Sequence, residues 1–436
     1  MKILFFPSDI GGGFGHISRC LALAHEAVRR GNTCAFVLNT YKYEKIIKRQ
    51  FLTFSPRNRL YTAQIKAFLG RIISGYYRQT PPLFTEISGL SYQVVRDGFS
   101  SEVYITKNIS RYLGIVKTFK PDVIIGDLNL LAGMLAEKAG IPLFQIIRYA
   151  FHPKTANLLW WKNKPEGMVS PDVLTIFNPL MSKMGLNSIS RAEDLLRGNY
   201  YIIPSIPEIE PIPEDSNTKF VGELTVSKKN IETPSWFHEL KDDLPLVYIT
   251  VGGGAGPVGN NKFFQTVADA FSGKPVQVVV STSTKFNLKE LPGSTGNVRF
   301  FNWVPGKLLI SKADLVIFHG GYGTMMEIVS CGKPSITIPF QTEQEGNGRR
   351  LEYLEVGRVI KLSKEKPRRI DFNRAHGAYN LFIQESYDLT PEELYAEAEK
   401  MLGDDKYGNN AKALQSKIAM YDGRRQAMDL IEDKLL

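Results

Sequence analysis

The chain has 436 residues, of which 43% are hydrophobic and 22% charged, an ordinary globular composition that calls for two domains of roughly 200 residues each. Its net charge of +10 suits anionic partners, whether nucleotides, nucleic acid or an acidic membrane surface. Three cysteines, Cys20, Cys34 and Cys331, without a CxxC spacing, argue against a disulfide framework or a zinc site and favour a reducing, cytoplasmic setting.

Taken in chain order, Met1–Pro7 is too short for a signal sequence and reads as a first buried strand. A glycine-rich stretch, Ser8 to Gly15, leads into helical periodicity from Ile17 to Arg30, closed by Gly31. Cys34 to Leu38 is the next strand, so the chain opens with a βαβ unit of a doubly wound α/β domain. Residues 41–78 are basic and aromatic, with Lys42, Lys45, Lys48, Arg49, Arg57, Arg59, Lys66 and Arg71. They form either a solvated, partly helical insertion or a face for an anionic membrane. Val123 to Asp127 is a buried strand ending in a carboxylate, Leu131 to Ala139 a helix and Leu143 to Ile147 a strand.

Pro204, Pro207, Pro211 and Pro213 mark a linker or a long edge segment. A second α/β series follows: strands at Leu246 to Val251, Val276 to Val280, Leu315 to Phe318 and Ser335 to Ile338, and a helix at Lys262 to Phe271. The tail from about Ala411 is helical. The expected organisation is a first α/β domain at 1–215, a second at 216–410 and a C-terminal helix at 411–436 that packs back on the first. No run of about 18 apolar residues is present, so no membrane-spanning helix is expected.

Two glycine loops follow strands in the second series: Gly252-Gly253-Gly254 and His319-Gly320-Gly321-Tyr322-Gly323-Thr324. The second opens a helix, whose unpaired N–H groups and dipole attract phosphate. His319 and Thr324 add donors, and Glu327 lies one turn on, where it can accept from a ribose diol. In the first series, His16 follows Gly11-Gly12-Gly13-Phe14-Gly15 at a helix start, and Asp127 ends a strand at the same sheet edge. A histidine there can take a proton from an attacking hydroxyl, oriented by the carboxylate. As alternatives, His16 is a capping or phosphate-contacting residue and Asp127 the N-cap of the helix at Leu131. Asn39 stands where a dinucleotide domain carries an acidic residue, so hydride transfer is disfavoured.

The order Trp303-Val304-Pro305, His319, Gly321, Thr324, Glu327, Glu343-Gln344, with Asn347 beyond, resembles the nucleotide-sugar signature of family 1 glycosyltransferases. Gly15-His16-Ile17 and Asp127 match the places where that family carries its base and the supporting acid. The resemblance implies the two-domain GT-B fold and inverting, metal-independent transfer of a hexose from a nucleotide sugar, with UDP as the expected carrier. Trp303 would stack on the base, His319 and Thr324 hold the diphosphate, Glu327 the ribose, and Glu343 and Gln344 the sugar hydroxyls. Gly13, Gly15, Gly252, Gly253 and Gly323 would line the donor loops. Gly306 departs from the plant pattern, which has Gln directly after Trp-x-Pro, so base identity is the part of the pattern least fixed.

The glycine-rich loop also resembles lipid-linked peptidoglycan glycosyltransferases. The string Gly15 to Ala24 resembles sugar-nucleotide hydrolases of the same fold, which leaves a donor hydrolase or epimerase open, as well as a non-catalytic nucleotide-sugar-binding protein. No cofactor or metal is expected, the nucleotide sugar itself being the donor substrate. The acceptor would be a small molecule or lipid-linked, with peripheral contact to an anionic membrane in the second case. Basic residues are dispersed and carry no nucleic-acid motif, so nucleic acid is not an expected partner.

Overall fold

A computed structural model describes residues 1–10, 13–56, 82–155, 157–226, 233–252, 261–283, 286–374 and 377–435. The short apolar runs read as buried strands form two parallel sheets. The first holds β1 (Lys2–Pro7), β2 (Thr33–Val37), β3 (Leu52–Phe54), β5 (Val123–Asp127), β6 (Leu143–Ile146), β7 (Tyr200–Ile203) and β8 (Thr218–Phe220), in the order β3-β2-β1-β5-β6-β7-β8. The second holds β9 (Leu246–Thr250), β10 (Gln277–Ser281), β11 (Val298–Phe301), β12 (Leu315–Phe318), β13 (Ser335–Thr337) and β14 (Gly357–Val359), in the order β11-β10-β9-β12-β13-β14. Within each sheet the order reverses beside the first strand, between β1 and β5 and between β9 and β12. Ligands of open α/β sheets sit outside the carboxyl ends of the strands at such points.

Both sheets are covered on both faces. Leu4, Phe6 and Ile124 face one side of the first sheet, while Ile3, Phe5 and Ile125 face the helix Gly15–Arg29 on the other. Each such apolar side chain contributes about 1.5–3 kcal/mol on burial.

Two features differ from the sequence expectations. The proline-rich segment is not the link between the domains. It connects β7 to β8 within the first sheet, which therefore runs to Phe220, past the expected boundary at 215. Parallel neighbours need a crossover, and this one lends Ile206 and Ile209 to the core of the second sheet. A third sheet, β15 (Arg368–Arg374), β16 (Gly377–Gln384) and β4 (Phe84–Glu86), was not expected at all. Its β4 comes from the first half of the chain and its antiparallel hairpin from the second.

The tail divides. The helix Asp405–Ile418 packs through Ala411, Leu414 and Ile418 on the second core. The helix Gly423–Leu435 packs through Ala427, Met428 and Ile431 on the first, where Arg30 pairs with Asp429 and Glu432.

Candidate active site

The register that sets Pro7 opposite Asp127 brings the loop after β1 to the end of β5. His16, the second residue of the helix Gly15–Arg29, then lies with Nδ1 2.6 Å from Asp127 Oδ1. A lone pair and a carboxylate oxygen repel at that separation, so Nδ1 carries the proton and donates it to Asp127. In the neutral ring that leaves the lone pair on Nε2.

One turn further on, Arg19 donates from Nε to Asp127 Oδ2 at 2.8 Å and from its terminal nitrogen to Oδ1 at 2.9 Å. That terminal nitrogen also lies 2.8 Å from His16 Nδ1, a contact rather than a bond once Nδ1 is protonated. Asp127 is 1% exposed and His16 29%. Burial pushes the Asp127 carboxyl up, but Arg19, then His16, outweigh it and hold it below the usual carboxylate range. Because the charge of Asp127 is shared with Arg19, its main effect on His16 is to fix the tautomer and the ring plane. Arg19 is a site residue beyond those expected from the sequence, although its i,i+3 spacing from His16 puts both on one helix face.

Asp9, 1% exposed, ties the loop after β1 to the loop after β2. Its Oδ2 accepts from the N–H of Asn39 at 2.8 Å and of Thr40 at 2.6 Å. Burial pushes its carboxyl up to about 6, against the hydrogen bonds from Thr40 and Asn39, from an ordinary 3.8. The folded chain thus keeps a proton that the unfolded chain has released. The stabilising contribution is present below the unfolded pKa and is lost as pH rises through about 6. Relative to the native chain, Asp9→Asn should gain roughly 3 kcal/mol between about pH 4 and pH 7, read by urea unfolding at both values. An unchanged difference would contradict this reading of Asp9.

In the second domain, β9 and β12 end side by side and release Gly252 and His319. The His319 ring is walled by glycine. A Cβ on Gly252 would lie 2.3 Å from its Cε1, and one on Gly321 2.3 Å from its Nε2. Gly252 and Gly320 also have φ of 73° and 84°, which disfavours other residues. The ring stacks on Phe340 with centroids 6.0 Å apart. Its Nδ1 is buried with no hydrogen-bond partner among the described residues. Burial, opposed by Glu343, brings His319 down to about 4, so it is neutral at physiological pH.

The helix Tyr322–Ser330 begins at Gly321 with no side-chain cap and no acidic residue in its first turn. Its first N–H groups have no intrahelical acceptor. Gly323 in this turn is exposed, and Thr324 and Glu327 are half-buried.

Glu343 and Gln344 begin the helix Thr342–Tyr353. Glu343 Oε1 accepts from Asn347 Nδ2 at 2.9 Å, and Asn347 Nδ2 also donates to Gly320 O at 2.7 Å. Gln344 is buried, and its carbonyl accepts from Phe340 N–H at 3.1 Å. Trp303 is 63% exposed, a large apolar ring left in solvent, while Val304 beside it is buried. Gly13 is exposed and Gly15 half-buried at the start of the first helix. Gly11, Gly12, Gly253, Gly254 and residues 57–78 of the basic stretch 41–78 lie outside the described residues. Of that stretch's described part, Lys45, Lys48 and Arg49 are exposed on or beside the helix Glu44–Lys48.

The two halves meet at Tyr322. Arg19 Cζ lies 5.9 Å from its ring centroid, so the histidine-bearing helix and the glycine-loop helix start at one place.

Residues 246–373 match the family model of the glycosyltransferase family 28 C-terminal domain. The chain is 26% identical over 287 residues to a PGL/p-HBAD biosynthesis glycosyltransferase of Mycobacterium tuberculosis, covering 60% of this chain and 65% of that protein. It thus spans somewhat under two thirds of that relative's length. An uncharacterized glycosyltransferase of Methanosarcina acetivorans is 22% identical over 100% of this chain and 99% of its own. Among solved structures, the calicheamicin glycosyltransferase CalG4 superposes with a TM-score of 0.70 at 18% identity, covering 100% of this chain and 98% of its own. The spinosyn rhamnosyltransferase SpnG, solved with thymidine diphosphate, gives 0.67 at 17% identity, covering 99% and 100%. The expected resemblance to family 1-like glycosyltransferases of the GT-B fold is borne out, and the homologues and structural neighbours are glycosyltransferases.

Proposed function

We propose that the chain transfers a hexose from a nucleoside diphosphate sugar to an acceptor hydroxyl, with inversion and with His16 as general base. The observation that carries this reading is the meeting, at Tyr322, of the helix that bears an oriented histidine and an uncapped helix N-terminus, beside His319, whose Nδ1 has no partner among the described residues.

In this reading the diphosphate lies on the first N–H groups of the helix Tyr322–Ser330, with Thr324 and neutral His319 as further donors. Glu327 holds the ribose, Trp303 stacks on the base, and Glu343 and Gln344 hold sugar hydroxyls, Gln344 through the amide nitrogen that Phe340 does not use. His16 Nε2 takes the hydroxyl proton as that oxygen bonds to C1 of the sugar. The bond from C1 to the diphosphate oxygen breaks, and its electron pair leaves with the diphosphate. Backbone N–H groups fixed in advance meet the charge as it develops. Attack opposite the leaving group inverts C1. Asp127, held by Arg19, stabilises the imidazolium through Nδ1–H until the proton is lost to solvent.

Uridine is the carrier expected from the sequence pattern, and thymidine diphosphate is the nucleotide in the SpnG structure. A thermal-shift panel of uridine, thymidine and guanosine diphosphates and their hexose esters tests the reading. One of them should stabilise the chain by about 2.7 kcal/mol at 100 times its Kd. No shift with any of them would end the proposal. Rapid release of free sugar without an acceptor would instead favour donor hydrolysis.

A further inference from the structure

Two residues past the end of β6, Arg148 reaches out of the first domain, and its side-chain bonds to the described residues all lie at the domain junction. Its Nε donates to Glu210 Oε1 at 2.8 Å, on the crossover between β7 and β8. Its two terminal nitrogens donate to Glu343 Oε1 at 2.8 Å and Asn347 Oδ1 at 2.6 Å, both on the helix Thr342–Tyr353 of the second domain. Its guanidinium carbon lies 3.5 Å from the centroid of Tyr322, the residue that Arg19 approaches at 5.9 Å. Glu210 is fixed in turn by the N–H of Tyr149 at 2.6 Å, and Tyr322 by its hydroxyl donating to Pro204 O at 2.9 Å. The Arg148 side chain is 13% exposed.

The consequence falls on Glu343. Its Oε1 is filled by Arg148 and Asn347, whereas its Oε2 accepts no hydrogen bond among the described residues. A carboxylate held by one oxygen presents the other in a fixed direction at no further entropic cost. A cavity of about 30 Å³ lined by Arg148, Glu343, Asn347 and Trp160 adjoins it, room for one water-sized group such as a sugar hydroxyl.

We propose that Arg148 is a positioning residue that aims Glu343 at the sugar of the donor and does so only while the two domains are closed on each other. Resting on the assignment of Glu343 to the donor sugar, this makes sugar recognition separable from nucleotide recognition. The glycine loop and the Tyr322 helix start bind the diphosphate from one domain alone. The sugar is read by a carboxylate whose aim comes from the other.

The test is calorimetric titration of uridine and thymidine diphosphates and their glucose esters. Arg148→Met/Glu210→Gln removes the guanidinium and its buried counter-charge together, so no unpaired buried charge threatens the fold. The native chain is expected to bind the sugar ester more tightly than the bare diphosphate. The double variant should hold the bare diphosphate within about twofold but lose about tenfold or more on the ester, the size of a charge-assisted contact. Arg148→Lys, whose ammonium cannot meet three acceptors in one plane, should keep part of the increment. The inference is overturned if the double variant keeps the full increment, if it weakens diphosphate and ester alike, or if the native chain binds both equally. If the native chain binds none of the four, the transferase reading itself falls and this inference with it.

Discussion

Replacing His16 by alanine should lower sugar transfer by about 10²–10⁴-fold, the usual contribution of a positioned general base, while the donor binds as before. The two readouts separate because His16 acts on the acceptor, whereas the diphosphate is expected on the other domain's helix. His16 is the sharper probe of its cluster. Its side chain is 29% exposed and carries no other element of the fold. Removing Asp127 would leave Arg19, 10% exposed, without its counter-charge, a disruption of about 3–5 kcal/mol that mixes stability with activity. Transfer assays with saturating donor, paired with calorimetric donor titration, check the expectation. Full activity in His16→Ala would remove it as the base, and lost donor binding would move it to the phosphate site.

The second large effect is expected from a single methyl group. Gly321→Ala places a Cβ 2.3 Å from His319 Nε2, and Gly252→Ala places one 2.3 Å from Cε1 at a φ of 73°. No carbon sits that close, so the ring must leave the slot between the two glycines. With Phe340 stacked beside it, the move displaces Nδ1 and the adjoining turn together. Donor affinity should fall by about tenfold or more, as for loss of a hydrogen bond to a charged group. The loss should appear for the bare nucleoside diphosphate as well as the sugar ester, unlike the loss expected at Arg148. Unchanged diphosphate affinity in both variants, with the folded state verified by thermal unfolding, would mean that His319 does not hold the phosphates.

Much of this was legible in the sequence because it is local. Ile3 to Phe6, Val123 to Ile125 and Leu246 to Val251 are apolar runs too short for helices, and each is a buried parallel strand. The glycines around His319 are read from two loops, Gly252 after β9 and Gly321 after β12, and their steric necessity appears once the ring is placed. What escaped is set by contacts between distant segments. The pairing of β4 with a hairpin near the other end of the chain has no local signature, because antiparallel register is chosen by whichever strand lies alongside. Proline density reports only an irregular backbone, which fits a domain link as well as a long edge segment. It does not report that Thr218–Phe220 returns to the first sheet. Arg19 had a visible cue in its spacing from His16. Arg148 had none, because Glu210 reaches it only through the β7–β8 crossover, and Glu343 and Asn347 only by the closing of one domain on the other.

The central claim is a division of labour: one domain holds the donor and the other makes it react. The most direct measurement is side-by-side calorimetric titration of the nucleoside diphosphate picked out by thermal shift into the native chain, His16→Ala and His319→Ala. The account predicts native affinity in His16→Ala and about tenfold or more weakening in His319→Ala. The reverse pattern, with His319→Ala unaffected and His16→Ala unable to bind, would contradict it.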